Sequence, residues 1–469
     1  MLSLEIIDAG LVIATQRGDT IGVIAEEPGM AVLDDANTIT GTNAAARIRL
    51  KPLLAHTNFW RDLSTELLAR PTRQIRTSAD LAFAQAGSLF ASCKGEGGEG
   101  VLLAVPAGYS REQLGLLLGI VNETGINVAG MVDAALAACS YEPAPPRILH
   151  LELELHQALL TILEYTGGER PGLKRARYEI LPRQGVLAIY QTWLQMIADQ
   201  FVRKTRFDPL HDASSEQRLF DQLPEWLQLL ADRAQLTITM QLGERVLEIE
   251  VARAEFIAAA EKHYAELQRL VQESRVAGMP IELRLSHRVA VMPGLLDRLA
   301  ALRDCAVRVL PKGAAALSAL HYAAAIRRPS ESLALVYQLP TPRAATNGAV
   351  ASSQETATPA PLRPTHVLFQ GRAWLLSERP LSVGWAAEGS SRKLPLPAAS
   401  PGVSRAHCTL VRRNGSVIVE DHSTYGSFVN EERVVGNTVL TVGDRLRLGS
   451  PGVTLELIQM VNDNGTPQD

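Results

Sequence analysis

Hydrophobic and polar positions change period repeatedly along this chain, and each change marks a predicted element. Val101-Leu102-Leu103-Ala104-Val105 is an unbroken apolar run closed by Pro106, which predicts a buried strand. Ser110-Arg111-Glu112-Gln113 then has the form of a capping box opening a helix that runs through Val121. From Ile148 the chain alternates, with Leu149, Leu151, Leu153 and Leu155 separated by polar residues, and predicts a strand. Leu236 to Met240 and Val246 to Val251 predict a hairpin around Leu242-Gly243-Glu244-Arg245. Phe256, Ala259, Ala260, Tyr264, Leu267, Leu270 and Val271 then mark one face of a long amphipathic helix. Strands and helices in alternation predict an α/β body.

The pattern lapses between Pro340-Thr341-Pro342 and Pro359-Ala360-Pro361-Leu362-Arg363-Pro364, a stretch rich in Pro, Ala, Ser and Thr with no apolar period. It reads as a flexible or extended linker. Beyond it come short apolar segments: Val367-Leu368-Phe369, Trp374-Leu375-Leu376, Cys408 to Val411, Val417-Ile418-Val419, Arg445 to Leu448 and Val453 to Leu457. Asn414-Gly415 supplies a hairpin turn, and the whole predicts an antiparallel sandwich.

Composition narrows the function classes. The 469 residues suggest two or three cores, and 46% hydrophobic residues argue against disorder. With 46 Lys and Arg against 50 Asp and Glu, the formal charge is −4, which gives no reason to expect a nucleic-acid partner. Cys93, Cys139, Cys305 and Cys408 are isolated, so neither a zinc ribbon nor a disulfide framework is expected. No basic segment opens the chain, and no apolar run approaches the roughly 20 residues of a membrane helix. The expectation is a cytoplasmic protein without membrane insertion.

The sharpest chemical signal is an ordered set of loop residues: Gly384, Ser404-Arg405-Ala406-His407, Asp421, Ser423-Thr424-Tyr425-Gly426-Ser427-Phe428-Val429-Asn430 and Gly443 to Gly449. This order resembles the forkhead-associated (FHA) domain, a β-sandwich whose end loops hold a phosphothreonine peptide. The resemblance implies that Ser404 and Thr424 offer hydroxyls to the phosphate, Arg405 a cationic donor, and Tyr425 a contact to the peptide. Gly384, His407, Gly426 and Asn430 would support the loops. Two positions depart from the family: Trp385 stands where an arginine usually follows the glycine, and Tyr425 where an asparagine is common. Arg392 or Lys393 is a candidate to supply the missing charge. The partner implied is a phosphothreonine-containing protein. The linker's own Thr341, Thr346, Thr356 and Thr358 are a second, intramolecular candidate, favoured by a short tether.

A weaker resemblance spans most of the first 335 residues or so. Gly100 to Pro106, Thr124 to Val128 with Asp133 to Ala138, Val251 to Phe256, Ser286-His287-Arg288-Val289 with Pro293, and Gly313 to Leu317 follow one another as in the actin-type ATPase domain of DnaK-type heat-shock chaperones. This implies a two-lobed, ribonuclease H-like body with lobes at 1–146 and 147–338, a linker at 339–364 and the FHA-like domain at 365–461. The nucleotide loops are degraded. Asp8 and Gly10 remain in the first, but the family's hydroxyl residues are replaced by apolar ones. The second is Glu152-Leu153-Glu154-Leu155-His156-Gln157, with no glycine, and Ser286 follows Arg284 and Leu285 where glycines are usual. Phosphates need closely approaching backbone N–H groups, which glycine permits. Glu154 would add a like charge, a repulsion of roughly 4 kcal/mol at about 4 Å for an effective dielectric of 20.

Other chemistry was weighed from these residues. Strand alternation would put Glu152, Glu154 and His156 on one face, where they could bind a metal; a polar face turned to a cleft or partner is the reading adopted. Asp8 with Glu152 could act as acid and base, but no nucleophile accompanies them. His211-Asp212 and His263 read as surface or satisfied packing. The expectation is therefore a non-catalytic scaffold that reads phosphothreonine, with no catalytic residue, metal or cofactor, ATP and Mg included. The alternatives are a divergent chaperone-type ATPase and a polymerising actin-like protein.

Overall fold

The computed structural model describes residues 1–469 except 19, 35–36, 94–98, 168–170, 276–279, 330–332, 344–362, 371, 387–391, 398–401, 414, 431, 451 and 460–469. The chain divides into two compact units: residues 1–267 with 281–346, and residues 268–280 with 347–469.

The first unit is mixed α/β and contains two six-stranded sheets. In one, Leu2–Glu5, Leu11–Arg17 and Thr20–Glu27 run antiparallel in sequence, and Val101–Val105 and Val128–Asp133 add in parallel on the other side of Leu2–Glu5. The other sheet repeats this plan. Arg147–Leu153, Gln157–Thr166 and Gly172–Pro182 form its antiparallel run, and Ile281–Leu285 and Cys305–Val309 its parallel additions. Parallel strands are usually covered on both faces, which is why Val101–Val105 carries no polar side chain and is fully buried.

Local chemistry explains the helices. Ser110 Oγ accepts from Gln113 N (3.3 Å) and the Gln113 side chain accepts from Ser110 N (3.0 Å), completing the expected capping box before Arg111–Glu123. The hairpin of Gln235–Leu242 and Arg245–Ala252 forms around Gly243, whose φ is +59°. The amphipathic stretch after it is two helices, Arg253–Ala259 and Glu261–Ser274, rather than one. Phe256, Ala260, Tyr264 and Leu267 are nevertheless all fully buried, as their spacing requires.

The start of the predicted linker belongs to the first unit. Leu335–Val336 joins the first sheet, Gln338–Leu339 joins the second, and Ala144 N donates to Pro342 O (2.8 Å). Thr341 is buried, with its hydroxyl turned to Leu339 O (3.3 Å), so it is not presented to a kinase or a binding module. Thr346, Thr356 and Thr358 lie outside the described residues.

The second unit contains an all-β sandwich. One sheet has the order Arg372–Leu375, His366–Phe369, Val453–Ile458, Arg445–Leu448, Ser427–Val429, Glu432–Arg433. The other runs Arg392–Pro395, Leu381–Gly384, Cys408–Arg413, Ser416–Asp421, Asn437–Leu440. Alternate residues from both sheets, among them Val383, Cys408, Leu410, Val419, Leu446, Leu448, Leu455 and Leu457, fill the space between them. The Arg413↔Ser416 pair closes the expected hairpin, with Gly415 at φ +76°. Among the described residues, no helix is long and apolar enough to cross a membrane.

Candidate functional site

The loops at one end of the sandwich are joined by a single neutral imidazole. His407, fully buried, accepts from Ser404 N at Nδ1 (3.0 Å) and donates from Nε2 to Gly426 O (3.1 Å). That pattern fixes its tautomer, and burial pushes its pKa down, so it stays uncharged. Gly426 O also accepts from Gly449 N (2.9 Å), so three loops meet at one carbonyl. Gly426 itself sits at φ +83°, held by Ser423 Oγ (2.7 Å), and Asp421 binds the hydroxyl of Ser427 (2.8 Å).

Gly384 is required by close approach. A Cβ there would come within 2.0 Å of Arg405 O, and this proximity lets His407 N reach Val383 O and Ala386 N reach Arg405 O. Asn430 adopts φ +50° and bridges the Ser427–Val429 strand to the next turn, donating to Asp444 Oδ1 (2.8 Å) and accepting from Arg445 N (3.0 Å).

These supports bring Ser404 and Thr424 together: Thr424 N donates to Ser404 Oγ (3.3 Å). Thr424 and Arg405 are exposed, Tyr425 is 60% exposed and Trp385 37%. The Arg405 guanidinium lies over the Trp385 ring, 5.4 Å from its centroid. The position that lacks an arginine thus holds the remaining one. Arg392 does not fill that role. It donates to Ser377 Oγ (2.7 Å) and Arg379 O (3.2 Å), and its strand pairs it with Leu381, three residues from Gly384. Lys393 is exposed opposite Ser382, likewise short of the Gly384 end.

Residues 383–449 match the family model of the FHA domain. FHA domains bind phosphothreonine-containing proteins. No curated protein matches the chain.

In the first unit the expected row of Glu152, Glu154 and His156 does not form, because the strand ends at Leu153. Glu154 N turns to Gln157 O and Leu155 N donates to Asp8 Oδ1 (2.7 Å), so the three side chains diverge. Glu152 faces Arg288 (3.3 Å), Glu154 binds the Gln157 amide (2.6 Å), and His156 Nε2 meets Thr57 Oγ1 (2.9 Å). Nor do Asp8 and Glu152 form a free acid–base pair, since Glu152 is engaged with Arg288. Asp212 caps helix Ala213–Asp232, and His263 is satisfied by Gln184 and Thr192.

Arg288 carried no role in the sequence and is the centre of this region. It is buried and contacts Glu5 (3.4 Å) as well as Glu152, and it donates to Gly10 O (2.6 Å). Glu5 also accepts from the first amides of helix Ala314–His321, Ala315 N (3.2 Å) and Ala316 N (3.3 Å). A Cβ on Gly10 would come within 3.0 Å of Arg288 and 2.7 Å of Glu26. Burial works upward on Glu26, but bonds from His287 and Lys312 outweigh it and hold its carboxyl at about 2. Ser286 N is tied to Leu151 O (3.1 Å), while its buried Oγ has no partner. No signal short of the fold would have paired Arg288 with Glu5, 283 residues away.

Two outcomes follow from these charges. Arg288→Ala strands the carboxylates of Glu5 and Glu152 away from water and should cost about 3–5 kcal/mol in urea denaturation; an unchanged midpoint would contradict the network. Burial, reinforced by the neighbouring Asp8 charge, raises Glu154 to about 8, and burial raises Asp8 to about 6. The folded protein therefore holds these protons more tightly than the unfolded chain does. The resulting stabilisation is complete below the ordinary carboxyl range near pH 4 and is lost as pH climbs through about 6 and about 8. Glu154→Gln should raise the urea midpoint at pH 8 and flatten its fall between pH 4 and 8; an unaltered profile would contradict this.

Proposed function

We propose that this chain is a non-catalytic scaffold that docks phosphothreonine-containing partners through residues 383–449, with the α/β unit as a second interaction surface. The observation that carries the reading is the joining of Ser404 and Thr424 beside an exposed Arg405 within a segment that matches the FHA family. A phosphothreonine presents close to two negative charges and three acceptor oxygens. Two hydroxyls and a guanidinium from separate loops complement it. Phosphate would engage Ser404 Oγ and Thr424 Oγ1 with Arg405 alongside, and Tyr425 would lie against the peptide.

For the α/β unit we propose a two-lobed actin-like fold that has lost its nucleotide. The repeated five-strand order of its two sheets supports the fold. Support for the loss comes from Asp8, Glu152 and Glu154 in the loops and from the Arg288 side chain bound at Gly10. A polyphosphate there would meet buried carboxylates and a backbone carbonyl already bonded to a guanidinium. We assign the unit no metal or cofactor.

The test is fluorescence anisotropy of the full chain against a phosphothreonine peptide library and its unphosphorylated counterpart. Loss of one bond to a charged phosphate is worth about 1.5–3 kcal/mol, so Ser404→Ala and Thr424→Ala should each weaken binding roughly 10- to 150-fold. Equal binding of both libraries, or unchanged affinity in both variants, would refute the docking mode.

A further inference from the structure

A cavity of about 190 Å³ in the first unit has a chemical asymmetry that the phosphothreonine reading does not use. Its apolar wall is built by Ile6, Pro106, Leu159 and Ile180, and its polar end by Asp8, Glu154 and Tyr109. Asp8 and Glu154 are each 4% exposed. Asp8 spends Oδ1 on Leu155 N, and its buried Oδ2 has no hydrogen-bond partner. Glu154 spends Oε2 on the Gln157 amide. Tyr109 donates its proton to Trp60 O (2.6 Å), which leaves its oxygen lone pairs as acceptors.

Part of the donor capacity around this cavity is committed within the protein. The Arg61 guanidinium is held by Asp62 through Nε (2.8 Å) and Nη2 (2.7 Å), and the Gln157 amide by Glu154. Other charges near the two carboxyls are Glu152 and Arg288, which bind one another. The polar end therefore presents the unpartnered Oδ2 of Asp8 and the lone pairs of the Tyr109 oxygen beside Glu154. A buried carboxylate oxygen without a partner is costly, and a ligand that only donates would satisfy it. An ammonium has three N–H donors, no acceptor and one positive charge. The apolar wall suits a short alkyl chain attached to it.

We propose that this cavity binds a small alkylammonium compound, its nitrogen donating to Asp8, Glu154 and Tyr109 and its chain lying along Ile6, Leu159 and Ile180. The cavity reaches the surface beside Asp62 and Gly108, both exposed. The site is independent of the FHA loops, so its failure leaves the phosphothreonine reading intact.

Thermal denaturation of the full chain in rising n-butylammonium chloride, at ionic strength fixed with sodium chloride, tests it. A saturable rise in Tm is expected, because a ligand binding only the folded state stabilises it by mass action. n-Butanol, of the same shape without the charge, should give none. Asp8→Asn and Glu154→Gln should each weaken the apparent affinity at least tenfold. Should either variant fail to fold, Tyr109→Phe, which removes one acceptor, decides in its place with a several-fold loss. Absence of a saturable rise, an equal response to n-butanol, or undiminished affinity in the folded variants would overturn the proposal. A larger rise with magnesium chloride would overturn it too, by identifying a divalent-cation site instead.

Discussion

The Arg288 guanidinium lies among carboxylates from three different strands, Glu5, Glu152 and Glu26, and donates to the carbonyl of Gly10. Glu5, Glu152 and Arg288 are buried and would each cost several kcal/mol to bury alone, so removing one leaves the others unpaired. Glu5 comes from the first sheet and Glu152 from the second, and both sheets must hold their loops in register for one side chain to reach both. Glu5 further satisfies the opening amides of helix Ala314–His321, tying a third element to the same charge. The consequence is a guanidinium whose partners are all the protein's own carboxylates and a backbone carbonyl.

The sandwich uses the opposite economy. Its loops are organised by a neutral group, His407, with both ring nitrogens satisfied by backbone atoms. No charge is needed to build the loops, and the exposed Arg405 guanidinium lies over Trp385 rather than in an ion pair with the loops. Gly384, Gly426 and Asn430 support the loops too, each for a stated backbone reason: close approach at Gly384 and positive φ at the other two.

How far the sequence disclosed this depended on whether the signal was local. The strand Val101–Val105, the capping box at Ser110 and the hairpin around Gly243 each depend on residues within a few positions of one another and are readable, and the FHA loops, spread over residues 383–449, are readable from their order along the chain. The row of Glu152, Glu154 and His156 was misread because alternation predicts a face only while the strand lasts. Its end is set by a distant contact, Leu155 N to Asp8, that periodicity does not contain. The same limit hid Arg288, whose partners are more than a hundred residues away. Thr341 looked like linker by composition, yet two short strands before it complete sheets whose other members lie far upstream.

Trp385 gives the FHA-like site its particular character. An arginine at that position would place a second full charge against the phosphate, whereas an indole offers only a polarisable face. That face holds the Arg405 guanidinium in a stack, which narrows the directions in which its N–H groups can point. For the proposed phosphate contact, part of the cost of ordering this long side chain would be met before a peptide arrives. The exchange trades one strong, bidentate contact for better preparation of another, and it sets an exposed aromatic surface beside the phosphate. Affinity at such a site depends less on phosphate charge alone than it would with two arginines. Under the proposed docking mode, more of the discrimination would fall to peptide residues beside Trp385 and Tyr425, both partly open to solvent.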